Sequence, residues 1–352
     1  RPNWHKTDIL IVDEVSMLSL KIFMILDLIA KKIKKQPLKP FGGMQIIFSG
    51  DFYQLPPVGK ASEPDTTKFC FESVLWNETF PQENQIQLKT MFRQTDPKYI
   101  KILNGIRVGK ITNSTITTLT GCVNKKDQDE AKPTILLPRR RDADIINNKE
   151  LNKLASTNEK EYLISQVPES ELSLTKEQIS NLSLFTPKER EYEIQNLTES
   201  VIVEKKFKIR IGTIVMCSVN LNVDSETPIV NGSQGIVKDF TKDGNPIVEF
   251  TNGLTQIIQP YTWISERMPG IAIKQLPLIY AWAITIHKSQ GVTLDKAFID
   301  IGSGIFECGQ TYVALSRIKT LEGLYLKGFD YKKITINKKV QDFYKELNSL
   351  VV

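Results

Sequence analysis

The sequence predicts an α/β protein in which helices alternate with the strands of parallel sheets and a small antiparallel β-barrel is inserted in the second half. Short, fully apolar runs followed by polar or acidic residues indicate buried parallel strands, and segments with helical periodicity lie between them. The barrel is predicted from short alternating strands between 205 and 268, which are separated by turn pairs at Asn231-Gly232, Asp243-Gly244 and Asn252-Gly253.

The first elements form a strand, helix, strand unit. Residues 9–12 are apolar and precede Asp13 and Glu14, residues 18–35 have apolar positions at helical spacing, and residues 44–51 form a second apolar strand. A parallel crossover of this kind is right-handed and brings the carboxyl ends of both strands to one edge of the sheet. We therefore expect two buried strands whose polar ends face the same crevice.

The remaining elements follow the same alternation. Strands are predicted at 85–90, 134–140, 279–286, 297–302 and 323–328, and helices at 97–109, 142–155 and 310–317. Residues 155–200 are rich in Glu, Ser, Asn, Lys and Gln and have no lasting periodicity, so we expect a partly disordered surface insertion there.

Bulk composition excludes several classes of protein. A length of 352 residues with 41% hydrophobic residues predicts two or three globular domains, and a net charge of +6 is compatible with a polyanionic partner. Four widely spaced cysteines and two histidines disfavour a zinc site or a disulfide framework. No apolar run reaches the about 18 residues of a membrane span. We expect an intracellular protein without a membrane partner; nuclear, mitochondrial and viral or cytoplasmic settings are not distinguished.

Two motifs point to nucleotide chemistry. Asp13 and Glu14 at a strand end have the form of a Walker B motif, in which the first carboxylate holds Mg²⁺ and the second orients the attacking water. Gln54 follows the next strand in the proline-stiffened sequence GDFYQLPPV, where an amide can sense a γ-phosphate. The alternatives are an ordinary strand end and a simple proline turn.

Two arginines and one polar cluster complete the candidate site. Arg93 in TMFRQ and Arg317 in VALSR can neutralise charge on a transferred phosphoryl group, although either alone is commonly a surface ion pair. A polar cluster with a glycine follows an apolar strand and suits contact with phosphates of DNA or of a nucleotide. Its members are His287, Lys288, Ser289, Gln290 and Gly291.

The order of the motifs resembles the petite integration frequency (PIF) family of superfamily 1B DNA helicases, which are relatives of the RecD-type enzymes. The matching motifs are DEVSM, GDFYQLPPV, FRQ with NGIRVG downstream, VNGSQGIV, AITIHKSQG and YVALSR. The resemblance covers almost the whole chain, and it is weakest over 155–200.

The resemblance implies two RecA-like domains with ATP between them, single-stranded DNA across their top and 5′ to 3′ translocation. By motif, Asp13 would ligate Mg²⁺, Glu14 would be the catalytic base, Gln54 would contact the γ-phosphate, and Arg93 and Arg317 would be arginine fingers. Gln290 and Gly291 would face the nucleotide, and His287, Lys288 and Ser289 the DNA. The implied segments are a first RecA-like domain at 1–120, a second at 121–204 and 269–352, and an SH3-like insertion at 205–268.

The chain departs from this family by lacking the phosphate-binding P-loop. Only twelve residues precede Asp13, and the sequences after Gly59 and Gly109 do not fit G-x-x-x-x-G-K-[ST]. We therefore expect the C-terminal part of a helicase whose first domain is incomplete and which needs a missing or separate N-terminal segment to hydrolyse ATP. Expected partners are single-stranded DNA and duplex junctions, in DNA repair, recombination or telomere maintenance. Alternatives are a non-catalytic strand-binding remnant and the helicase segment of a rolling-circle transposon protein.

Overall fold

A computed structural model describes residues 2–123, 125, 133–221 and 228–348. The helices are α1 (Pro2–Lys6), α2 (Leu20–Lys34), α3 (Trp76–Thr79), α4 (Pro97–Arg107), α5 (Asn113–Gly121), α6 (Arg140–Lys153), α7 (Lys176–Ser183), α8 (Pro187–Ser200), α9 (Gln310–Ser316) and α10 (Lys338–Asn348). The strands are β1 (Ile9–Val12), β2 (Gln45–Phe48), β3 (Thr134–Leu137), β4 (Lys160–Leu163), β5 (Ser165–Gln166), β6 (Lys206–Ile209), β7 (Ile214–Cys217), β8 (Gln234–Phe240), β9 (Pro246–Phe250), β10 (Thr255–Ile257), β11 (Tyr261–Ile264), β12 (Ala272–Gln275), β13 (Leu278–Tyr280), β14 (Ala283–Thr285), β15 (Ala297–Ile301) and β16 (Leu324–Phe329).

The chain divides into two compact units. Unit 1 comprises Arg1–Ala131, Leu136–Arg139 and Thr285–Val352, and unit 2 comprises Lys132–Ile135 and Arg140–Ile284. The predicted succession of domains along the chain stays a prediction. In unit 1, α4 packs on α9 and α5 packs on β16, so segments from the first and last parts of the sequence lie in one unit.

The predicted strand, helix, strand unit at the start of unit 1 is confirmed. β1 and β2 pair in parallel, with Ile9 opposite Gln45, and α2 connects them. Ser19 caps α2 by accepting a hydrogen bond from the Ile22 N–H. The predicted full burial of both strands is wrong, because a sheet of two strands leaves apolar side chains uncovered. The exposed ones are Ile9, Ile11 and Ile47.

The strand predicted at 85–90 is wrong. These residues are in no strand or helix, and Ile86 and Leu88 are 80% and 89% exposed. A strand needs a neighbour to receive its backbone hydrogen bonds, and among the described residues the β1–β2 sheet has no third strand beside this segment. Residues 85–90 therefore have the apolar alternation of a strand but no neighbouring strand among the described residues.

The last two strands among the described residues, β15 and β16, pair in parallel within unit 1. The core of unit 1 is rich in aromatic side chains from α2, the loops after β2, and α10. Its fully or largely buried members include Phe23, Phe41, Phe52, Phe69, Trp76, Val340 and Tyr344. The last helix of the chain is thus part of the same core as the first helices.

Unit 2 contains the predicted antiparallel module. Five strands pair antiparallel in the order β10-β9-β8-β7-β13, and Gly232, Gly244 and Gly253 have the positive φ angles that their turns require. The module extends beyond the predicted limit at 268 because β13 is one of its strands. Two smaller antiparallel sheets, β4-β6 and β11-β12-β5, accompany it.

The partial disorder expected at 155–200 is wrong, whereas the expectation of a surface insertion stays a prediction. This segment contains β4, β5, α7 and α8, and both helices begin with a capping box, Thr175 with Gln178 and Thr186 with Glu189. Leu182 packs with Met268 and Ile271 in a small core of unit 2. The helices are short and mostly polar, so their apolar periodicity is weak.

None of the helices among the described residues combines the length and the hydropathy of a membrane span.

Candidate functional site

The acidic pair lies on a tight turn at the end of β1. Glu14 has φ 51° and ψ 43°, a left-handed conformation that non-glycine residues adopt at a cost of about 1 kcal/mol. Its N–H donates to Asp13 Oδ1 at 2.9 Å, and its carbonyl accepts from the Met17 N–H at 3.1 Å. The turn leaves the Asp13 side chain exposed and the Glu14 side chain half-buried, so the two carboxylates have different surroundings.

The loop after β2 supports this turn. The Val15 N–H donates to the Ser49 carbonyl at 3.0 Å, and a Cβ on Gly50 would lie only 2.8 Å from the Val15 nitrogen. A glycine is therefore required where the two loops approach. The predicted meeting of the two strand ends at one edge of the sheet is confirmed.

Gln290 joins the polar cluster to the acidic pair. Its Nε2 donates to Glu14 Oε2 at 2.9 Å, and its Oε1 is buried without a hydrogen-bond partner among the described residues. The backbone turn that carries it includes the bond from Gln290 N–H to the His287 carbonyl, and Gly291 follows with φ 80°. The structure thus places Gln290 beside Glu14, although 276 positions separate them.

Arg317 is a buried cation at the end of α9. The residue is only 3% exposed. Its Nε donates to the Val313 carbonyl at 3.0 Å, and its Nη2 donates to Ser316 Oγ at 2.9 Å. No carboxylate in the described ranges forms an ion pair with it. Burial, followed by the positive charge of Arg93, lowers its pKa to about 10, and Glu14 acts in the opposite direction. The group stays ionised at neutral pH, and no carboxylate among the described residues is paired with it.

Arg93 lies next to the same end of α9. Its Nε donates to Thr293 Oγ1 at 3.0 Å and its Nη1 to the Ser316 carbonyl at 3.4 Å. Thr293 is three residues after Gln290, so one turn contacts both the acidic pair and Arg93. The structure therefore assembles Glu14, Gln290, Arg93 and Arg317 within unit 1. Two guanidinium groups close to a pair of carboxylates can hold a phosphate with its metal ion.

Sequence reasoning missed two residues that hold this arrangement. Gln94 Nε2 donates to the carbonyls of Ser316 and Ile318, each at 2.9 Å, and the Tyr99 hydroxyl donates to the Leu315 carbonyl at 2.7 Å. Both side chains are buried. Gln94 follows Arg93 directly in FRQ, which is the signal that could have identified it. The FRQ segment therefore positions the end of α9 from which Arg317 projects.

Gln54 lies on a turn in which its own N–H donates to the Asp51 carbonyl at 2.8 Å. The turn contacts the N-terminal end of α9, where a Cβ on Gly309 would lie 2.6 Å from the Gln54 carbonyl oxygen. Gln54 Oε1 is buried without a hydrogen-bond partner in the described structure. Among the described residues, no hydrogen bond joins its side chain to Glu14, Arg93 or Arg317, and its role in sensing phosphate stays a prediction.

The residues predicted to contact DNA have three different environments. The His287 ring is half-buried and nearly parallel to that of Phe306, which is 57% exposed, with centroids 6.3 Å apart. Lys288 is half-buried. Ser289 is wholly buried, and its hydroxyl donates to the Ile286 carbonyl at 2.8 Å. A direct contact between this hydroxyl and DNA is not supported, because a small polar side chain can satisfy its hydrogen bond within its own turn.

Protonation of His287 is expected to destabilise the fold in acid. Burial lowers its pKa, and nearby Glu307 opposes this effect only partly. The folded state therefore binds the proton less tightly than the unfolded state, and the stability present above about pH 6.5 is lost as the pH falls towards the folded pKa. Melting temperatures should fall more steeply between about pH 7.5 and 5.5 for the wild type than for His287→Gln; parallel curves would contradict this.

The donor set near Glu14 suits magnesium with a bound nucleotide. No group of three or more His, Cys, Asp or Glu side chains that could hold a metal ion occurs in the part of the chain that is described. Mg²⁺ commonly uses one or two protein carboxylates and completes its shell with water and substrate phosphates. The exposed Asp13 carboxylate fits that requirement, whereas a dedicated metal cage is not formed by these residues.

Comparisons with known proteins give one consistent match. A family model described as PIF1-like helicase matches residues 1–117. ATP-dependent DNA helicase PIF1 of Xenopus laevis is 34% identical over 99% of this chain and 51% of the relative, and Pif1 of Bdellovibrio bacteriovorus is 32% identical over 98% and 72%. The chain spans about half the length of several relatives of this kind, including human PIF1.

Solved structures agree with the sequence relatives. Pif1 helicase from Candida albicans superimposes with a TM-score of 0.76 at 31% identity, covering 98% of this chain and 78% of that one. Pif1 from Bacteroides in complex with ADP-AlF3 and single-stranded DNA gives a TM-score of 0.68 at 29% identity, covering 99% and 77%.

Proposed function

Because this chain belongs to the PIF1-like helicase family, we propose that it is the C-terminal part of an ATP-dependent helicase that moves 5′ to 3′ on single-stranded DNA and unwinds duplexes. The observation that carries this proposal is the assembly of Glu14, Gln290, Arg93 and Arg317 in one unit. A solved Pif1 in complex with single-stranded DNA, and the solved Pif1 described for DNA unwinding at forked duplex DNA, support these substrates. The activity would serve DNA repair, recombination or telomere maintenance inside cells.

Each side chain has a role that its surroundings support. Asp13 would ligate the Mg²⁺ that accompanies ATP and neutralises phosphate charge, and Glu14, held by Gln290, would orient the attacking water. Arg93 and Arg317 would stabilise the charge on the transferred phosphoryl group, and the burial of Arg317 strengthens that effect because water screens it less. Gln54 would detect the γ-phosphate, and His287 and Lys288 would contact the DNA backbone.

The phosphate-binding loop would come from a segment outside this sequence. Ile47 on β2 and the apolar side chains of 85–90 are exposed, and the two stretches belong to no common sheet among the described residues. A strand carrying a P-loop between them would pair with β2, cover Ile86 and Leu88, and deliver its loop to the edge of the sheet where Asp13 and Glu14 lie. We therefore propose an upstream or separate N-terminal segment as a required partner.

The test compares the chain alone with the same chain joined to its upstream coding sequence. The joined protein should show ATPase activity that single-stranded DNA stimulates, and it should unwind duplexes with a 5′ tail but not those with a 3′ tail. The chain alone should do neither. Strand binding without ATPase activity in the joined protein would instead support a non-catalytic remnant, and hydrolysis by the chain alone would refute the need for another segment.

A further inference from the structure

Asp51 is the centre of a cluster held together by an ion pair and hydrogen bonds. Arg107, the last residue of α4, donates from Nε to Asp51 Oδ2 and from Nη2 to Oδ1, both at 2.8 Å. The two side chains are mostly buried. A bidentate pair in such surroundings fixes both partners in direction as well as distance. Asp51 begins the turn that carries Gln54.

The last helix of the chain contributes the third member of this cluster. The Tyr344 hydroxyl, on α10, donates to Asp51 Oδ1 at 3.1 Å and accepts from the Phe52 N–H at 3.2 Å. Its ring stacks on that of Tyr53 at 4.7 Å, and the Arg107 guanidinium lies over both rings, at 4.6 and 5.2 Å. Aromatic and cation–π contacts of this kind favour one arrangement of the three side chains.

The turn of residues 51–54, which this cluster holds, contacts the N-terminal end of α9. Asp51 accepts from the Tyr53 N–H at 3.1 Å through its side chain and from the Gln54 N–H at 2.8 Å through its carbonyl. A Cβ added at Gly309 would lie 2.5 Å from the Tyr53 carbonyl oxygen and 2.6 Å from the Gln54 carbonyl oxygen, so the turn and the start of α9 are in close contact. A small displacement of the turn would therefore move Gln54 relative to the helix that ends at Arg317.

We propose that Arg107 and Tyr344 are positioning residues, which hold the turn 51–54 so that Gln54 is aligned with the phosphate contacted by Arg317. The inference rests on the proposed function, since it assigns that phosphate to ATP. It also gives α10 a specific part in hydrolysis through one hydroxyl group. Tyr312 lies in the electrostatic environment of both Asp51 and Arg317, and burial followed by the Asp51 charge raises its pKa to about 12.

Tyr344→Phe tests the proposal because it removes the hydroxyl and keeps the ring in the core. In the 352-residue chain itself, hydrogen exchange at the Phe52 to Gln54 amides should become about tenfold faster. In the joined protein, kcat for DNA-stimulated ATPase should fall about five- to tenfold with KM for ATP within about twofold. Arg107→Lys, which keeps the charge but loses the bidentate geometry, should have the same two effects.

Two controls separate positioning from general stability. Tyr331→Phe removes the hydroxyl of an exposed tyrosine and should change neither quantity. Leu326→Ala removes buried side-chain volume from β16, outside the core cluster that contains α10 and the turn, and should lower the melting temperature while leaving kcat nearly unchanged. Equal exchange in Tyr344→Phe and Tyr331→Phe, or an equal loss of kcat in Leu326→Ala, would overturn the proposal. Absence of ATPase activity in the joined wild type would refute the proposed function. The hydrogen-exchange measurement would still decide whether Arg107 and Tyr344 hold the turn of residues 51–54.

Discussion

Arg317→Ala is expected to reduce DNA-stimulated ATPase of the joined protein about a thousandfold, while affinity for single-stranded DNA changes less than about twofold. The guanidinium is buried beside Arg93 and near Glu14, and its hydrogen bonds go to Val313 and Ser316 rather than to a carboxylate. Its charge is thus available to the phosphoryl group in the transition state. The measurement pairs steady-state ATPase with titration of a labelled oligonucleotide.

The control for this variant is Arg141→Ala, which removes an exposed arginine of α6. It should retain full ATPase activity. Arg317→Lys should recover little, because an ammonium group lacks the planar set of donors that a phosphoryl group requires. If Arg317→Ala weakened ATPase and strand binding by equal factors, the residue would be a structural or DNA-contacting group rather than an arginine finger.

Glu14→Gln is expected to slow hydrolysis by about a hundred- to ten-thousandfold and to leave ATP binding largely intact. The amide keeps the size of the side chain and can still accept a hydrogen bond from Gln290, so the turn after β1 should be preserved. What is lost is the carboxylate that orients and activates the attacking water. Single-turnover hydrolysis and the affinity for a fluorescent ATP analogue measure the two properties separately.

Glu83→Gln provides the matched control, because Glu83 is an exposed glutamate of the same unit. Its hydrolysis rate should equal that of the wild type. A Glu14→Gln protein that hydrolyses ATP at more than about a tenth of the wild-type rate would assign the base to another group.

Local patterns predicted the strands and helices that carry the motifs, since those elements have clear apolar periodicity. Local patterns give wrong predictions where a segment's structure depends on contacts with residues that are distant in the sequence or outside the described structure. Residues 85–90 have the alternation of a strand but no neighbouring strand in the described structure, and the polar helices α7 and α8 are marked by their caps rather than by an apolar face. Both errors follow from using hydrophobicity as the main signal.

The candidate site shows the same limit. The chemistry of Arg93 and Arg317 makes both predictable from the sequence, but their closeness to Glu14 depends on the packing of α4 against α9 and on the turn that carries Gln290 and Thr293. The link from Tyr344 to Asp51 joins positions 293 apart and belongs to no motif. Conversely, Ser289 has a polar side chain in a motif and is nevertheless buried in its own turn.

We propose that the acidic pair and the two arginines surround one phosphate. A crystal structure of the joined protein with Mg²⁺, ADP–aluminium fluoride and single-stranded DNA would show this arrangement. Guanidinium nitrogens of Arg93 and Arg317 are expected within about 3 Å of the fluorides, with Glu14 on the attacking water opposite ADP. A structure in which the fluorides contact neither arginine, and Arg317 keeps only its bonds to Val313 and Ser316, would contradict it.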